Sequence, residues 1–271
     1  MNRLTKTLTD LKENNQKALV AYLVAGDPDI NSTIELMKLF VESGVDVIEI
    51  GVPFTDPIAE GPIIQKAHDR ALKNNISLES IFHMVSEFRK HDDKTPLVLM
   101  GYLNTFIFYK KLIEENNNNA IDSILVVDIP GELNLEDYGI HNSNVNTISL
   151  ISPTTKRNRI ESIAKNSTGF VYYVTLRGVT GASNLDVREI SNNVQEIKKY
   201  ASVPTLAGFG IKSAEDAKLL SECSDGVIIG SSIVQMIAES SKSKEFDRIR
   251  EYISEIKKAI SWVFFKTYYL R

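Results

Sequence analysis

The segment VDVIEIGV at residues 45–52 is a short, β-branched apolar run that contains two carboxylates. Such a run is typical of a strand covered on both faces of a parallel sheet. Burying a carboxylate there costs several kcal/mol unless it is paired or protonated, so Glu49 is a candidate for acid–base chemistry. The alternative is a structural Glu49 that meets a buried Arg or backbone donors. Asp46 has the opposite parity on the same strand, and it could pair with a helix outside the sheet.

The loop after this strand is rich in Gly, Pro and further carboxylates. It reads GVPFTDPIAEGPIIQ over residues 51–65 and adds Asp56 and Glu60. Three carboxylates therefore stand close to the end of one strand. Carboxylates whose environments separate their pKa values are the usual apparatus of general acid–base catalysis.

Short apolar segments rich in β-forming residues recur along the whole chain. There are eight of them: ALVAYLVAG (18–26), VDVIEIGV (45–52), PLVLMGYL (96–103), SILVVDI (123–129), NTISLIS (146–152), FVYYVTL (170–176), VPTLAGFG (203–210) and DGVIIGSSI (225–233). Amphipathic stretches such as 32–43 and 213–223 lie between them. Eight strand–helix units predict an α/β fold.

The arrangement predicted is a single (β/α)8 TIM barrel that occupies residues 1–271 as one domain. A doubly wound open sheet is the alternative. The N-terminus carries Leu4, Leu8 and Leu11 at helical spacing, which predicts an amphipathic helix. We expect extra helices in loop 2, the widest gap between strands, and in loop 8.

Composition excludes several classes of protein. A net charge of −4 without a basic cluster argues against nucleic-acid binding. No apolar stretch approaches the roughly 18 residues of a membrane span, and the N-terminus lacks the apolar centre of a signal peptide. The single cysteine fits a reducing compartment, so a cytoplasmic location is expected. No metal site is predicted.

The unusual loop residues follow the strands, at the end where (β/α)8 barrels build their active sites. Two of these loops contain the glycine turns GFG (208–210) and GSS (230–232), and Ser231 can open a helix. Glycine allows close backbone approach, and a helix start attracts anions, so a phosphate site is predicted here. The loop RGVTGASN (177–184) suits a lid over substrate, with an ordinary surface loop as the alternative.

With these motifs in place, the chain resembles the α subunit of tryptophan synthase. The resemblance runs from the N-terminal helix to the last barrel loop. It rests on AGDPD (25–29), VIEIGVPFTDPIAEGPIIQ (47–65), GYLN (101–104), VVDIPGE (126–132), YYVTLRGVTGA (172–182), AGFGIKS (207–213) and GVIIGSSIV (226–234). The family implies retro-aldol cleavage of indole-3-glycerol phosphate to indole and glyceraldehyde 3-phosphate. It also implies a pyridoxal-phosphate β subunit that receives the indole in an α2β2 heterotetramer, with no cofactor in this chain.

The resemblance assigns roles to matching positions. Glu49 matches the catalytic glutamate that moves protons on the substrate, and Tyr173 matches a tyrosine near the reacting carbons. The positions that match the indole pocket are Tyr22, Ile64, Met100, Leu125, Val127 and Phe209, and core packing is the alternative for Phe209. The positions that match phosphate binders are Gly181, Gly210, Gly230 and Ser231, and those that match the lid are Arg177, Gly178 and Thr180. The positions that match residues facing the partner are Asp56, Pro57, Asn104 and Pro130.

One position departs from the family pattern. The family usually has Asp where this chain has Glu60, and that carboxylate is assigned to the indole N–H. Glutamate keeps the charge but reaches one methylene further. The alternatives are a weakly active chain that serves chiefly as an allosteric partner of a β subunit, and a different phosphate-handling barrel enzyme.

Overall fold

Eight parallel strands close into one barrel in chain order. The computed structural model describes residues 2–115, 120–174, 187–208 and 210–261. The strands are β1 (Ala18–Val24), β2 (Val47–Gly51), β3 (Leu97–Gly101), β4 (Ser123–Val126), β5 (Asn146–Ile151), β6 (Val171–Val174), β7 (Thr205–Gly208) and β8 (Gly226–Ile229). All eight predicted strands are present, with shorter ends, and β8 pairs with β1. The closed barrel is confirmed over the open sheet.

Helices surround the barrel. They are α1 (Arg3–Glu13), α2 (Ile30–Glu42), α3 (Pro62–Leu72), α4 (Leu78–Arg89), α5 (Leu103–Phe108), α6 (Lys110–Glu114), α7 (Arg157–Asn166), α8 (Val187–Lys198), α9 (Ala214–Cys223), α10 (Ser231–Ser240) and α11 (Asp247–Ser261). The predicted extra helices are confirmed, since two helices follow β2 and two follow β8. A 3-10 helix at Leu135–Tyr138 connects β4 to β5. None of the described helices combines the length and apolar character that a bilayer crossing requires.

Strand alternation divides the core into two layers. One set of side chains packs between the strands and the outer helices, for example Ile48 and Ile50. The other set fills the barrel interior, for example Val47 and Val98. Leu4 and Leu8 of α1 join the interior set, so the N-terminal helix closes the barrel at the amino ends of the strands. The loops that follow the strands lie at the opposite end of the barrel, at the carboxyl ends of the strands.

The closed end of the barrel is held by a buried ion-pair network. Asp122 is 1% exposed and accepts hydrogen bonds from the Leu97 N–H at 2.9 Å, from Arg89 at 3.0 Å and from Arg3 at 3.1 Å. Removing one partner of such a pair typically costs about 3–5 kcal/mol, because a buried charge is left uncompensated. Asp122 immediately precedes β4 and Leu97 begins β3, so this network lies at the amino ends of the strands, opposite the loops that carry the candidate chemistry.

Asp46 is a structural carboxylate, as its parity predicted. It accepts from Lys257 Nζ of α11 at 2.6 Å and from the Leu19 N–H at 2.7 Å. The pair joins α11, outside the sheet, to the start of β2. Two acids on one strand thus have different surroundings, because neighbouring residues point to opposite faces of a strand.

Candidate active site

A cavity of about 340 Å³ opens among the loops at the carboxyl ends of the strands. Its lining is mainly apolar. It includes many of the predicted site residues: Tyr22, Glu49, Glu60, Ile64, Met100, Val127, Gly210, Gly230 and Ser231. A cleft of about 370 Å³ lies at the other end, beside α1, but it contains none of the predicted site residues. The convergence of carboxylates and glycine turns makes the loop-end cavity the candidate active site.

Glu49 is buried in the wall of this cavity, with 1% of its surface exposed. Among the described residues, none makes a hydrogen bond to its Oε1. Burial, and secondarily the charge of Glu60, raises the pKa of Glu49 to about 8. Within the part of the chain that the structure describes, no Arg or backbone donor pairs with this oxygen, as the structural alternative requires. A carboxyl group with a pKa near neutrality can both give and take a proton.

Tyr22 stands beside Glu49. The two residues are register partners on β1 and β2, and both side chains line the cavity. A Cβ atom at Gly51 would lie 2.1 Å from Tyr22 Oη, so the glycine at the end of β2 makes room for this hydroxyl. The Tyr22 hydroxyl is buried, and none of the residues that the structure describes makes a hydrogen bond to it.

Glu60 reaches the cavity from the loop before α3. The Tyr102 hydroxyl donates a hydrogen bond to Glu60 Oε2, and Tyr102 Oη accepts the Ala59 N–H at 3.0 Å. The Tyr102 ring stacks on Phe54, with ring centroids 4.5 Å apart. Burial raises the pKa of Glu60, and the Tyr102 hydrogen bond opposes that rise. The longer side chain therefore has a defined place in this loop.

His68 of α3 lies behind Glu60. Its Nδ1 accepts the Phe54 N–H at 3.0 Å, and its Nε2 is 3.9 Å from Glu60 Oε1. Burial lowers the pKa of His68 to about 4, so the ring is neutral near pH 7. His68 was not singled out from the sequence, because a lone histidine on a helix gives no signal until its neighbours are known.

The two glycine turns meet at one edge of the cavity. Gly210 has a φ of +71°, a conformation that favours glycine, and Gly230 is the N-cap of α10. Ser231 is the first residue of that helix, and Ser232 Oγ donates to the Ile211 carbonyl at 2.8 Å, which joins the two loops. The first N–H groups of a helix have no partner within the helix, and together with the helix dipole they attract an anion.

Two predicted site residues lie outside the cavity lining. Tyr173 belongs to the outer core layer, and its hydroxyl accepts a hydrogen bond from Asn193 of α8 at 2.8 Å. Tyr172 lines the cavity instead. Placing Tyr173 in the pocket was therefore wrong by one residue, because adjacent strand residues face opposite ways. Leu125 is in the barrel interior, in the core set against which Met100 and Val127 pack, but it is not among the residues that line the cavity. Its assignment to the indole pocket stays a prediction.

Other cavity residues were missed from the sequence. The apolar strand residues Leu150, Val174 and Ile228 complete its walls, and Ala59, Gly61, Pro62 and Ile63 contribute from the loop and the start of α3. When a strand is apolar throughout, polar and apolar residues do not alternate along it. The sequence therefore does not indicate which side chains face the barrel interior.

The remaining predicted residues divide between the surface and the undescribed part of the chain. Asp56 is exposed in the loop after β2, and Asn104 is exposed in α5. Pro57 is partly exposed, and Pro130 is exposed after β4. Asp56 therefore does not join Glu49 and Glu60 in the cavity lining. Arg177, Gly178, Thr180, Gly181 and Phe209 lie outside the described residues. Within the described part of the chain, no cluster of metal-ligating side chains occurs.

Comparison with known proteins identifies the family. The sequence model of the family described as "Tryptophan synthase alpha chain" matches residues 8–261. The chain belongs to the tryptophan synthase alpha chain family. A tryptophan synthase alpha chain from Nitrosomonas europaea is 41% identical over 263 residues, which cover 96% of each chain. One from Neisseria meningitidis serogroup B is 42% identical and covers 96% of this chain and all of the relative.

Solved structures agree with this family assignment. The tryptophan synthase subunit alpha of Legionella pneumophila superposes with a TM-score of 0.86 at 37% identity, covering 96% of this chain and 98% of that one. A chain of the tryptophan synthase a2b2 complex of Pyrococcus furiosus gives a TM-score of 0.80 at 35% identity, covering 89% and 98%. The recognised fold and the family named by resemblance are both confirmed.

Proposed function

We propose that the loop-end cavity is where this tryptophan synthase alpha chain cleaves indole-3-glycerol phosphate into indole and glyceraldehyde 3-phosphate. The supporting observation is the pair of carboxylates in one apolar cavity. Glu49 Oε1 has no hydrogen-bond partner among the described residues and burial raises the pKa of Glu49 to about 8, whereas Glu60 accepts a hydrogen bond from the Tyr102 hydroxyl. Two acids kept in different states by their surroundings are suited to separate roles.

The substrate phosphate binds where Gly210, Gly230 and Ser231 meet, because the N-terminus of α10 attracts the anion there. The indole ring then lies against the apolar wall, which includes Ile64 and Met100. Binding energy from the phosphate and the ring places the reacting bond beside Glu49.

Proton transfer then falls to Glu49. Its protonated carboxyl group gives a proton to the ring carbon that bears the side chain, and the ring becomes positively charged. The resulting carboxylate takes the proton of the glycerol hydroxyl as the carbon–carbon bond breaks. The bonding electrons return to the ring, so indole and an aldehyde leave and Glu49 is again protonated. Such a group works best with a pKa near the working pH.

Glu60 stabilises the charged ring. Its carboxylate accepts the indole N–H, and the attraction grows as positive charge develops in a site from which water is excluded. Tyr172 contributes the aromatic surface beside Glu49 that was first assigned to Tyr173. The competing hypothesis is a weakly active chain. Glu60 lines the cavity although it is one methylene longer than the usual Asp, and this observation argues against that hypothesis.

A β chain is the proposed partner, and it would carry the pyridoxal phosphate. Three large apolar side chains are exposed around the same loops: Ile58 at 76%, Phe108 at 79% and Ile107 at 46%. Ile58 follows Pro57, and α5 contains both Ile107 and Phe108. The Ala59–Tyr102 hydrogen bond joins these two loops. Exposed apolar clusters mark protein interfaces, and the similar P. furiosus chain belongs to an a2b2 complex. A cytoplasmic location remains part of this proposal.

One assay tests the function. Indole release from indole-3-glycerol phosphate is measured with the chain alone and with a β chain added. We expect release in both cases, with faster release in the complex. The Phe108→Asp variant should retain its own release but lose the effect of the β chain, whereas Lys12→Asp, on α1 at the opposite end, should lose neither. Absence of indole release in both conditions would refute the proposal.

A further inference from the structure

Glu60 requires more than one contact to be held in one orientation. The torsion that turns a glutamate carboxylate is broad and roughly two-fold, so one hydrogen bond leaves the plane of the group free to rock. Tyr102 contacts Oε2. The other oxygen, Oε1, faces His68 Nε2 across 3.9 Å. That distance is too long for a hydrogen bond.

The hydrogen on His68 is located by its other nitrogen. Nδ1 accepts the Phe54 N–H at 3.0 Å, so in the neutral ring the hydrogen must be on Nε2. Burial keeps the ring neutral by lowering its pKa to about 4. His68 Nε2 is buried and has no hydrogen-bond partner among the described residues. A buried donor without a partner thus lies 3.9 Å from Glu60 Oε1.

We propose that His68 is a positioning residue whose Nε2–H, together with the Tyr102 hydroxyl, holds the Glu60 carboxylate in the plane that accepts the indole N–H. This inference rests on the proposed function. A shift of roughly 1 Å in the carboxylate brings the pair to ordinary hydrogen-bond distance. His68 does not line the cavity, so it acts through Glu60 and does not touch the substrate.

The location of His68 explains how a glutamate is accommodated. α3 begins at Pro62, directly after Glu60 and Gly61, and Gln65 Nε2 donates to the Glu60 carbonyl at 2.9 Å. Backbone and side chain of Glu60 are therefore both contacted by the first two turns of the same helix. The Tyr102 hydroxyl and His68 Nε2–H together use two of the roughly four lone pairs of the Glu60 carboxylate. The others remain for a donor in the cavity.

Two substitutions separate the functions of the two ring nitrogens. In His68→Asn the amide oxygen replaces Nδ1 as the acceptor for Phe54, but the side chain is too short to reach Glu60. In His68→Gln the amide N–H replaces the Nε2 donor. We expect His68→Asn to lower kcat for indole release about tenfold with little change in KM, since a displaced catalytic group costs rate. His68→Gln should restore most of the loss.

The double-mutant cycle with Glu60→Ala is the decisive comparison. Without a carboxylate to position, His68→Asn should change kcat by less than about twofold. An equal loss in both backgrounds, or a change in KM alone, would overturn the inference and indicate a structural role. A wild-type chain that releases no indole would instead contradict the proposed function.

A spectroscopic measurement does not depend on the folding of any His68 variant. In the wild type labelled with 15N-histidine, His68 should show the neutral Nε2–H tautomer at about pH 7. Glu60→Ala should shift that Nε2–H proton upfield, because the carboxylate that deshields it is gone. Finding the Nδ1–H tautomer, or an Nε2–H signal that Glu60→Ala leaves unchanged, would contradict the proposal.

Discussion

Tyr22 and Glu49 are register partners on β1 and β2, and both Tyr22 Oη and Glu49 Oε1 are buried without a hydrogen-bond partner among the described residues. Buried polar atoms in folded proteins almost always find partners, so two adjacent exceptions need an explanation. We expect a ligand that enters the cavity to form hydrogen bonds with both atoms. The same desolvation that keeps Glu49 protonated is therefore a cost to the fold and a benefit to the reaction.

The first prediction concerns stability and pH. The folded pKa of Glu49 is about 8 and the ordinary value is 4.5, so the unfolded chain ionises first. The free energy of unfolding contributed by this group is complete below about pH 4.5 and falls as pH rises to about 8. Glu49→Gln has no carboxyl group to ionise at this position, so its free energy of unfolding does not fall with pH for this reason. Its gain in stability should therefore grow with pH, to the order of 4 kcal/mol at about pH 8.

Thermal unfolding of both proteins between about pH 5 and pH 8 measures that gain. Glu35→Gln, at another position in the chain, is the control for loss of a carboxylate. A Tm difference between Glu49→Gln and wild type that stays constant with pH would show that Glu49 ionises normally in the fold.

The second prediction concerns Glu60. Glu60→Ala should lower the rate of cleavage at least about a hundredfold, the size typical of a positioned catalytic carboxylate. Glu60→Asp should stay active or fall modestly, since it keeps the charge in the cavity. Asp56→Asn is the matched control, because Asp56 is exposed in the same loop. If Asp56→Asn stops catalysis by the isolated chain and Glu60→Ala does not, the two roles are reversed.

The third prediction uses the adjacent tyrosines of β6. Tyr172→Phe should lower kcat or raise KM, because that side chain lines the cavity. Tyr173→Phe should leave the kinetics unchanged and lower stability by about 1 kcal/mol, because Asn193 loses a hydrogen-bond partner. Steady-state kinetics and urea unfolding of the two variants measure the contrast. If Tyr173→Phe changed the kinetics and Tyr172→Phe did not, Tyr173 would be the tyrosine that contacts the substrate.

The fourth prediction concerns the phosphate. Gly230→Asp should weaken the binding of substrate and of glyceraldehyde 3-phosphate more than about tenfold, since a carboxylate at the start of α10 repels the anion and occupies its place. Gly230→Ala adds a Cβ without a charge; its nearest neighbour would be Tyr22 Cβ at 3.4 Å, so it serves as the control. Gly210 is less suitable because its positive φ would add backbone strain. If wild type, Gly230→Asp and Gly230→Ala bind the substrate with equal affinity, the phosphate does not bind at the start of α10.

Several features of the fold could be predicted from the sequence because each has a local cause. The eight strands are apolar on both faces, and Glu49 is conspicuous because it interrupts such a run. Tyr173 shows where this reasoning fails. In FVYYVTL every residue suits a buried strand, so only the register across β5 and β7 determines which tyrosine faces inward. His68 was missed for a related reason, because its meaning comes from Phe54 and Glu60, which the fold brings to it.

The most direct test of the account is the cleavage rate of Glu49→Gln. Single-turnover release of indole from indole-3-glycerol phosphate is measured for wild type and variant, with glyceraldehyde 3-phosphate binding as the check that the cavity remains intact. The amide keeps the shape of the side chain but cannot exchange the proton, so we predict loss of cleavage with nearly unchanged binding. Cleavage by Glu49→Gln within about tenfold of the wild-type rate would contradict the assignment of proton transfer to Glu49.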